Sequence, residues 1–187
     1  MTLVKRNKGN LVEGFPSDYT VVDIETTGLS PEKCEIIEIS AIKVKNDEIV
    51  DTFSMLVKPS KKINSFIMNL TGITNEMVAL APKIKDVLPH FLNFVGDDYI
   101  LGHNVNFDIN FIYDNLKRFC KKEFSNDFID TMRLSRKHCD LAKHNLKTIA
   151  KHYNISLDGH HRALTDCTIT YQVYKNIKRD ATSCIES

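Results

Sequence analysis

Apolar positions fall into short dense runs over the first third of the chain and into helical spacing after it. Residues 19–26 (YTVVDIET), 35–45 (EIIEISAIKVK) and 48–57 (EIVDTFSMLV) are rich in Val and Ile, partly alternate, and read as strands. Asn46-Asp47 is a turn signal, and the close spacing of the runs predicts an antiparallel meander. After Pro59 the period lengthens. Residues 63–72 (INSFIMNLTG) predict a short helix ending near Gly72, and 74–80 (TNEMVAL) another capped by Thr74. Pro82 suits the first turn of a helix over 83–95, which Pro89 is expected to kink or divide. Residues 98–104 (DYILGHN) read as a short strand running into a loop. Apolar positions 107, 109, 111, 112, 116 and 119 then give a broad helical face. A short strand over 127–130, a helix over 145–153, a break at Gly159 and a last long helix over 161–177 complete the pattern.

Three strands followed by mixed helices and strands predict an α/β or α+β domain with a mixed sheet. No repeat or low-complexity tract interrupts it. The expected organisation is one domain over 18–180, a loose polar leader over 1–17 and a short tail over 181–187. The leader carries Lys5, Arg6, Lys8, Gly9 and Gly14, and reads as a frayed terminus, with a basic arm on a nucleic-acid backbone as the alternative.

Composition narrows this picture only a little. The 187 residues suit a single core, and 42% apolar with 26% charged residues argues against disorder. With 25 Lys and Arg against 24 Asp and Glu, no global field draws the chain to a polyanion, so nucleic-acid binding would have to be local. The five cysteines (Cys34, Cys120, Cys139, Cys167, Cys184) are scattered and contain no C-x-x-C, which fits a reducing compartment. No membrane span or apolar signal core is visible, so a cytoplasmic location is expected. The spacings of His138, Cys139, His144 and His152 fit no common structural zinc pattern.

Three segments carry candidate chemistry. Asp23 and Glu25 lie two apart in an apolar strand, where charge is depleted and period-2 geometry puts both carboxylates on one face. A divalent cation would answer their repulsion; two solvated acids on an exposed face is the plain alternative. In LGHNVNFDIN, Asp108 stands near a helix start, with His103 and Asn104 in the preceding loop. An ordinary first-turn acid and loop-bonding side chains would look the same. In DGHHRALTD, His160 and His161 stand at a helix start and Asp166 lies inside it.

Together, D-I-E-T-T-G-L, H-N-V-N-F-D and H-R-A-L-T-D resemble the three ordered motifs of the DnaQ-like exonucleases of the DEDDh class, within the ribonuclease-H-like superfamily. LTGIT (70–74), IDTMRLSR (129–136) and NLKTIA (145–150) agree, and the resemblance spans about residues 18 to 178. It implies an α/β ribonuclease-H-like fold with a mixed sheet of about five strands flanked by helices. It also implies a 3′–5′ exonuclease releasing nucleoside 5′-monophosphates, with two Mg²⁺ or Mn²⁺ ions held by Asp23, Glu25, Asp108 and Asp166. In that scheme Asp23 bridges both ions, Glu25 and Asp166 complete the water-bearing site, and Asp108 serves the other ion.

The general base it implies is His161, which alone fits the motif's five-residue offset to Asp166. Asp51 and Asp130 read as structural, with Asp130 a candidate support for the site. Thr26, Thr27, Gly28 and Leu29 would meet the 3′ end, Leu29 as a wedge against the terminal base. His103, Asn104, Phe107, Met68 and Thr71 are lesser candidates for nucleotide contact. The expected partner is a single-stranded or frayed 3′ end of DNA, with a DNA polymerase as a candidate protein partner. The same motifs also occur in RNA and oligoribonucleotide exonucleases, and a non-catalytic polymerase-associated module is a further alternative.

Overall fold

A computed structural model describes residues 5–183. Residues 1–4 and 184–187, with Cys184 and the outer ends of the expected leader and tail, lie outside the described residues.

Five strands form one sheet in the order β3-β2-β1-β4-β5. β1 (Tyr19–Thr26), β2 (Ile36–Lys45) and β3 (Glu48–Leu56) make the antiparallel meander. The turn between β2 and β3 is Asn46-Asp47, both in the left-handed region (φ 52° and 62°), the geometry that matches strand twist in a two-residue hairpin. β4 (Ile100–Gly102) and β5 (Phe128–Asp130) continue the sheet in parallel with β1. β2 therefore runs opposite to the other four strands, and β1 is central.

Helices cover both faces. Val22 and Ile24 of β1 pack beneath α3 (Ile84–Val95) and α4 (Asn106–Asn115), whose chain continues into a π-helical turn, Leu116–Cys120. Tyr19 and Val21 point the other way, into a core with α5 (Thr131–His138), α6 (Leu146–His152) and α7 (Ala163–Ser183). Two short helices, α1 (Ser65–Thr71) and α2 (Asn75–Val78), close a small satellite core around Ile37, Ile63 and Ile73. Asn64 and Thr74 cap them through their side chains, and Gly72 ends α1 in the left-handed conformation (φ 71°). No described helix is long and apolar enough to cross a membrane.

Several expectations need correction. Pro82 precedes the cap residue Lys83 instead of entering the first turn, and α3 runs unbroken through Pro89. Pro89 sits on the exposed side, where solvent can satisfy the carbonyl it leaves free, while Val87, Leu88, Phe91 and Val95 anchor the opposite side. Helix α5 was not anticipated: its sequence, TMRLSRKH, shows only a two-residue apolar signal. The last helix begins at Ala163, not His161, and continues through 181–183 of the expected tail.

The leader also differs from the loose segment expected. Arg6 donates two hydrogen bonds to Asp114, at 2.8 and 2.7 Å. Leu11 bridges Phe128 in parallel, with Phe128 N–H donating to Asn10 O and Val12 N–H to Phe128 O, each at 2.8 Å. The approach is so close that a Cβ on Gly9 would lie 2.0 Å from Asn126 O. The segment covers the free edge of β5, whose unpaired backbone groups would otherwise invite another strand.

Candidate active site

Beyond Val21, the face of β1 that packs under α7 changes from apolar to acidic. Asp23 and Glu25 follow Tyr19 and Val21 at period two, opposite Ser40 and Glu38 of β2. α7 presents Asp166 from its first turn, 6% exposed. Carboxylate oxygens of Asp23, Glu25 and Asp166 all lie within 4.8 Å of one another.

Asp108 reaches the same strand from the other side of the sheet. β4 pairs only with Thr20 and Val21, so the β1 backbone beyond that point has no strand partner on this edge. Asp108, buried in the first turn of α4, accepts the Ile24 N–H at 3.1 Å. It therefore completes the ladder where β4 stops, and it stands outside the tight trio. The four acids gather at the carboxyl end of the central strand, where open α/β sheets form their binding crevices.

This gathering is electrostatically costly without a counter-ion. Burial, then Asp108, Asp166, Glu25 and Glu38, hold the Asp23 carboxyl well above its ordinary range. Burial likewise raises Asp108, against the opposing effect of its backbone hydrogen bonds. Glu25 is pushed up to about 8, chiefly by burial and then by Asp166 and Glu38, with Arg162 opposing. An all-oxygen set of buried and half-buried carboxylates suits hard divalent cations, and such charge would return these acids to the ionised form.

The histidine turn departs from the expected arrangement. His160 Nδ1 lies 2.5 Å from Asp166 Oδ1, while His161 is exposed, with φ 73°, and stacks on His160 at 3.9 Å between ring centroids. A His161 ring nitrogen still comes within 4.8 Å of the Asp166 carboxylate. Partial desolvation of the ring and the neighbouring His160 lower the His161 pKa, favouring the neutral imidazole a base requires.

A pair that the motif reading passed over fixes this turn. Glu38, 2% exposed, accepts from Arg162 Nε (3.1 Å), Arg162 Nη2 (2.6 Å) and Ala163 N–H (3.0 Å). It thereby ties the start of α7 to β2 beside Glu25. The signal was available: Glu38 is a charge inside the apolar run IIEIS, the same anomaly that singled out Asp23.

The other candidates divide. Thr26 donates to Gly28 O (2.7 Å), and Thr27 and Glu35 exchange two hydrogen bonds at 2.9 Å, closing the base of the loop after β1. Leu29, at the tip, is 85% exposed, as a residue free to meet a ligand would be. Thr71 is buried, donates to Ile67 O and accepts from Ile73 N–H, so its hydroxyl is engaged in ending α1. Met68 packs in the satellite core and accepts from Asn75 Nδ2. His103 bonds Thr131 Oγ1 at 3.0 Å and is pushed down to about 4 by burial, which keeps it neutral. Asn104 N–H donates to Asp130, and Phe107 packs on Phe111. Asp130 also caps α5 through Met132 N–H, so it braces the loop that leads into α4 and Asp108.

Comparison with known proteins agrees with this geometry. The exonuclease family profile (RNase T) matches residues 20–174. The DNA polymerase III subunit epsilon of Aquifex aeolicus is 41% identical over 171 residues, covering 91% of this chain and 83% of that protein. A PolC-type DNA polymerase III from Clostridium perfringens is 45% identical over 164 residues. That match covers 87% of this chain, which spans only 11% of the polymerase's length. Among solved structures, Exonuclease X in complex with 5′-overhanging duplex DNA superposes with a TM-score of 0.71 at 31% identity, covering 88% of this chain and 93% of that one. Exonuclease I superposes with a TM-score of 0.79 at 18% identity over 90% of this chain and 42% of that one. At that identity the likeness bears on the fold alone, which is ribonuclease-H-like.

Proposed function

The chain belongs to the RNase T family of exonucleases, and from that premise we propose a metal-dependent 3′–5′ exonuclease of the DEDDh class acting on DNA. The observation that carries the proposal is the trio Asp23, Glu25 and Asp166, with carboxylate oxygens within 4.8 Å of one another, and Asp108 of α4 hydrogen-bonded to the β1 backbone between Asp23 and Glu25. Two Mg²⁺ or Mn²⁺ ions would be held by these four acids and would supply charge stabilisation to the scissile phosphate and activation of water.

The side chains have distinct tasks in this scheme. The acids orient the reacting phosphate and attacking water. His161 takes the water's proton, swinging inward from its exposed position on the turn that Glu38 and Arg162 anchor. Thr26, Thr27 and Gly28 hold the terminal 3′-hydroxyl, and Leu29 presses against the terminal base. The polymerase III relatives favour DNA as substrate and a polymerase as protein partner.

A matched pair of 5′-labelled DNA and RNA strands, incubated with Mg²⁺, Mn²⁺ or EDTA, tests the proposal. The expected result is a metal-dependent ladder shortening from the 3′ end, faster on DNA. Faster shortening of RNA would move the substrate to RNA, and intact strands with both metals would reject the enzyme reading.

A further inference from the structure

The loop that leaves the acidic cluster also forms one wall of a groove of about 720 Å³. Residues 31–36 line it on one side and residues 57–61, 83–85, 114, 115, 118 and 119 on the others. Its basic side chains are Lys33, Lys58, Lys61, Lys83, Lys85 and Arg118, against the acids Glu32, Glu35 and Asp114. For a chain of net charge +1 this is a marked local excess.

The two signs are also used differently. Asp114 is engaged by Arg6, Glu35 by the backbone N–H and hydroxyl of Ser60, and Glu32 by Ser30 Oγ at 2.8 Å. Among the described residues, Lys33, Lys61, Lys83 and Lys85 have no hydrogen-bonding or ion-pair partner for their ammonium groups, and Lys58 donates only to Ala79 O. Phe119, 41% exposed beside Arg118, adds an aromatic surface. Unpaired ammonium groups along a groove, with an aromatic face, match a sugar–phosphate backbone and its bases.

We propose that this groove binds the phosphate backbone of the nucleic-acid substrate, several nucleotides away from the reacting end. The proposal rests on the exonuclease reading above and adds a second contact region to it. The 27–35 loop joins the two: Thr27 and Glu35 close its base, Leu29 faces outward at its tip, and Lys33 to Ile36 line the groove. A strand engaged at Asp23 and Glu25 would thus be held again on the far side of that loop.

The test is a triple variant, Lys61→Glu/Lys83→Glu/Lys85→Glu, read in two ways. In EDTA, fluorescence anisotropy measures binding of a labelled single strand of about twenty nucleotides across a salt series. The variant is expected to bind about tenfold more weakly at low salt, with a log–log salt slope shallower by about 2. Hydrolysis of a dinucleotide, too short to reach the groove, is expected to keep its wild-type rate. Equal affinity and equal slope for wild type and variant would overturn the proposal, as would failure of wild type to bind the long strand. If neither protein cleaves either substrate while the affinity difference holds, the catalytic reading fails and the groove stands.

Discussion

Replacing Glu25 with glutamine should stabilise the metal-free protein and weaken the metal-bound one. In the folded chain Glu25 is pushed up to about 8 from an ordinary 4.5 by burial and by Asp166 and Glu38. An unfolded chain releases that proton near 4.5. Between the two values the folded state keeps a proton that the unfolded state has lost, so stability falls as pH rises through the window. Below it the contribution is fully present, and above about 8 the loss is complete.

Each pH unit in the window is equivalent to about 1.4 kcal/mol. From about pH 5 to about pH 8 the side chain therefore accounts for at most roughly 4 kcal/mol, and for roughly 2 after allowance for solvent at the open side of the cleft. For a domain of this size that is about 4–8 °C in Tm. Thermal melts in EDTA at several pH values read it directly. The wild type is expected to fall behind Glu25→Gln by this amount as pH rises, and added Mn²⁺ should reverse the order. Parallel pH profiles for the two proteins would refute the reasoning, because they would show that Glu25 ionises freely without a cation.

Three further outcomes follow from the geometry. Glu38→Gln leaves the half-exposed Arg162 guanidinium without its carboxylate partner and should lower stability by about 1–2 kcal/mol in melts; slower turnover should accompany it, through a displaced histidine turn. His161→Ala should cut kcat by about 10²-fold or more while Mn²⁺ binding by calorimetry is largely kept. If instead His160→Ala carries that loss and His161→Ala turns over normally, the base is His160, which the structure places nearer Asp166. Gly9→Ala, whose methyl would collide with the Asn126 backbone, should cost about 1–3 kcal/mol in denaturant melts by lifting the leader from the β5 edge.

Much of this architecture is legible in the chain because its signals are local. The Val and Ile runs, the Asn46-Asp47 turn and the cap Thr74 each specify their own element. Asp23 and Glu25 stand out because charge is out of place in a buried strand. Contacts distant in sequence were harder to see. Nothing near Arg6 in the chain announces Asp114, and the polar leader shows no periodicity that would reveal its edge pairing with Phe128. Thr71 looked like a groove residue by position, yet its hydroxyl serves the end of its own helix. The Glu38–Arg162 pair was readable in half: the buried charge was visible, but its partner lies 124 residues away. Helix α5 was missed because Asp130 and Thr131 start it from a strand end, with little apolar repeat to mark it.

The most direct test of the central claim is the rate at which a 5′-labelled single strand shortens, compared for wild type and Asp23→Asn across a Mn²⁺ titration. Asp23 stands between the other three carboxylates in charge terms, and burial with those neighbours holds its proton until a cation replaces it. The account predicts saturable, metal-dependent shortening from the 3′ end by wild type. It predicts loss of nearly all of that activity in the variant at every Mn²⁺ concentration, with its fold intact in melts. Undiminished shortening by Asp23→Asn would contradict it and would place the chemistry outside this cluster.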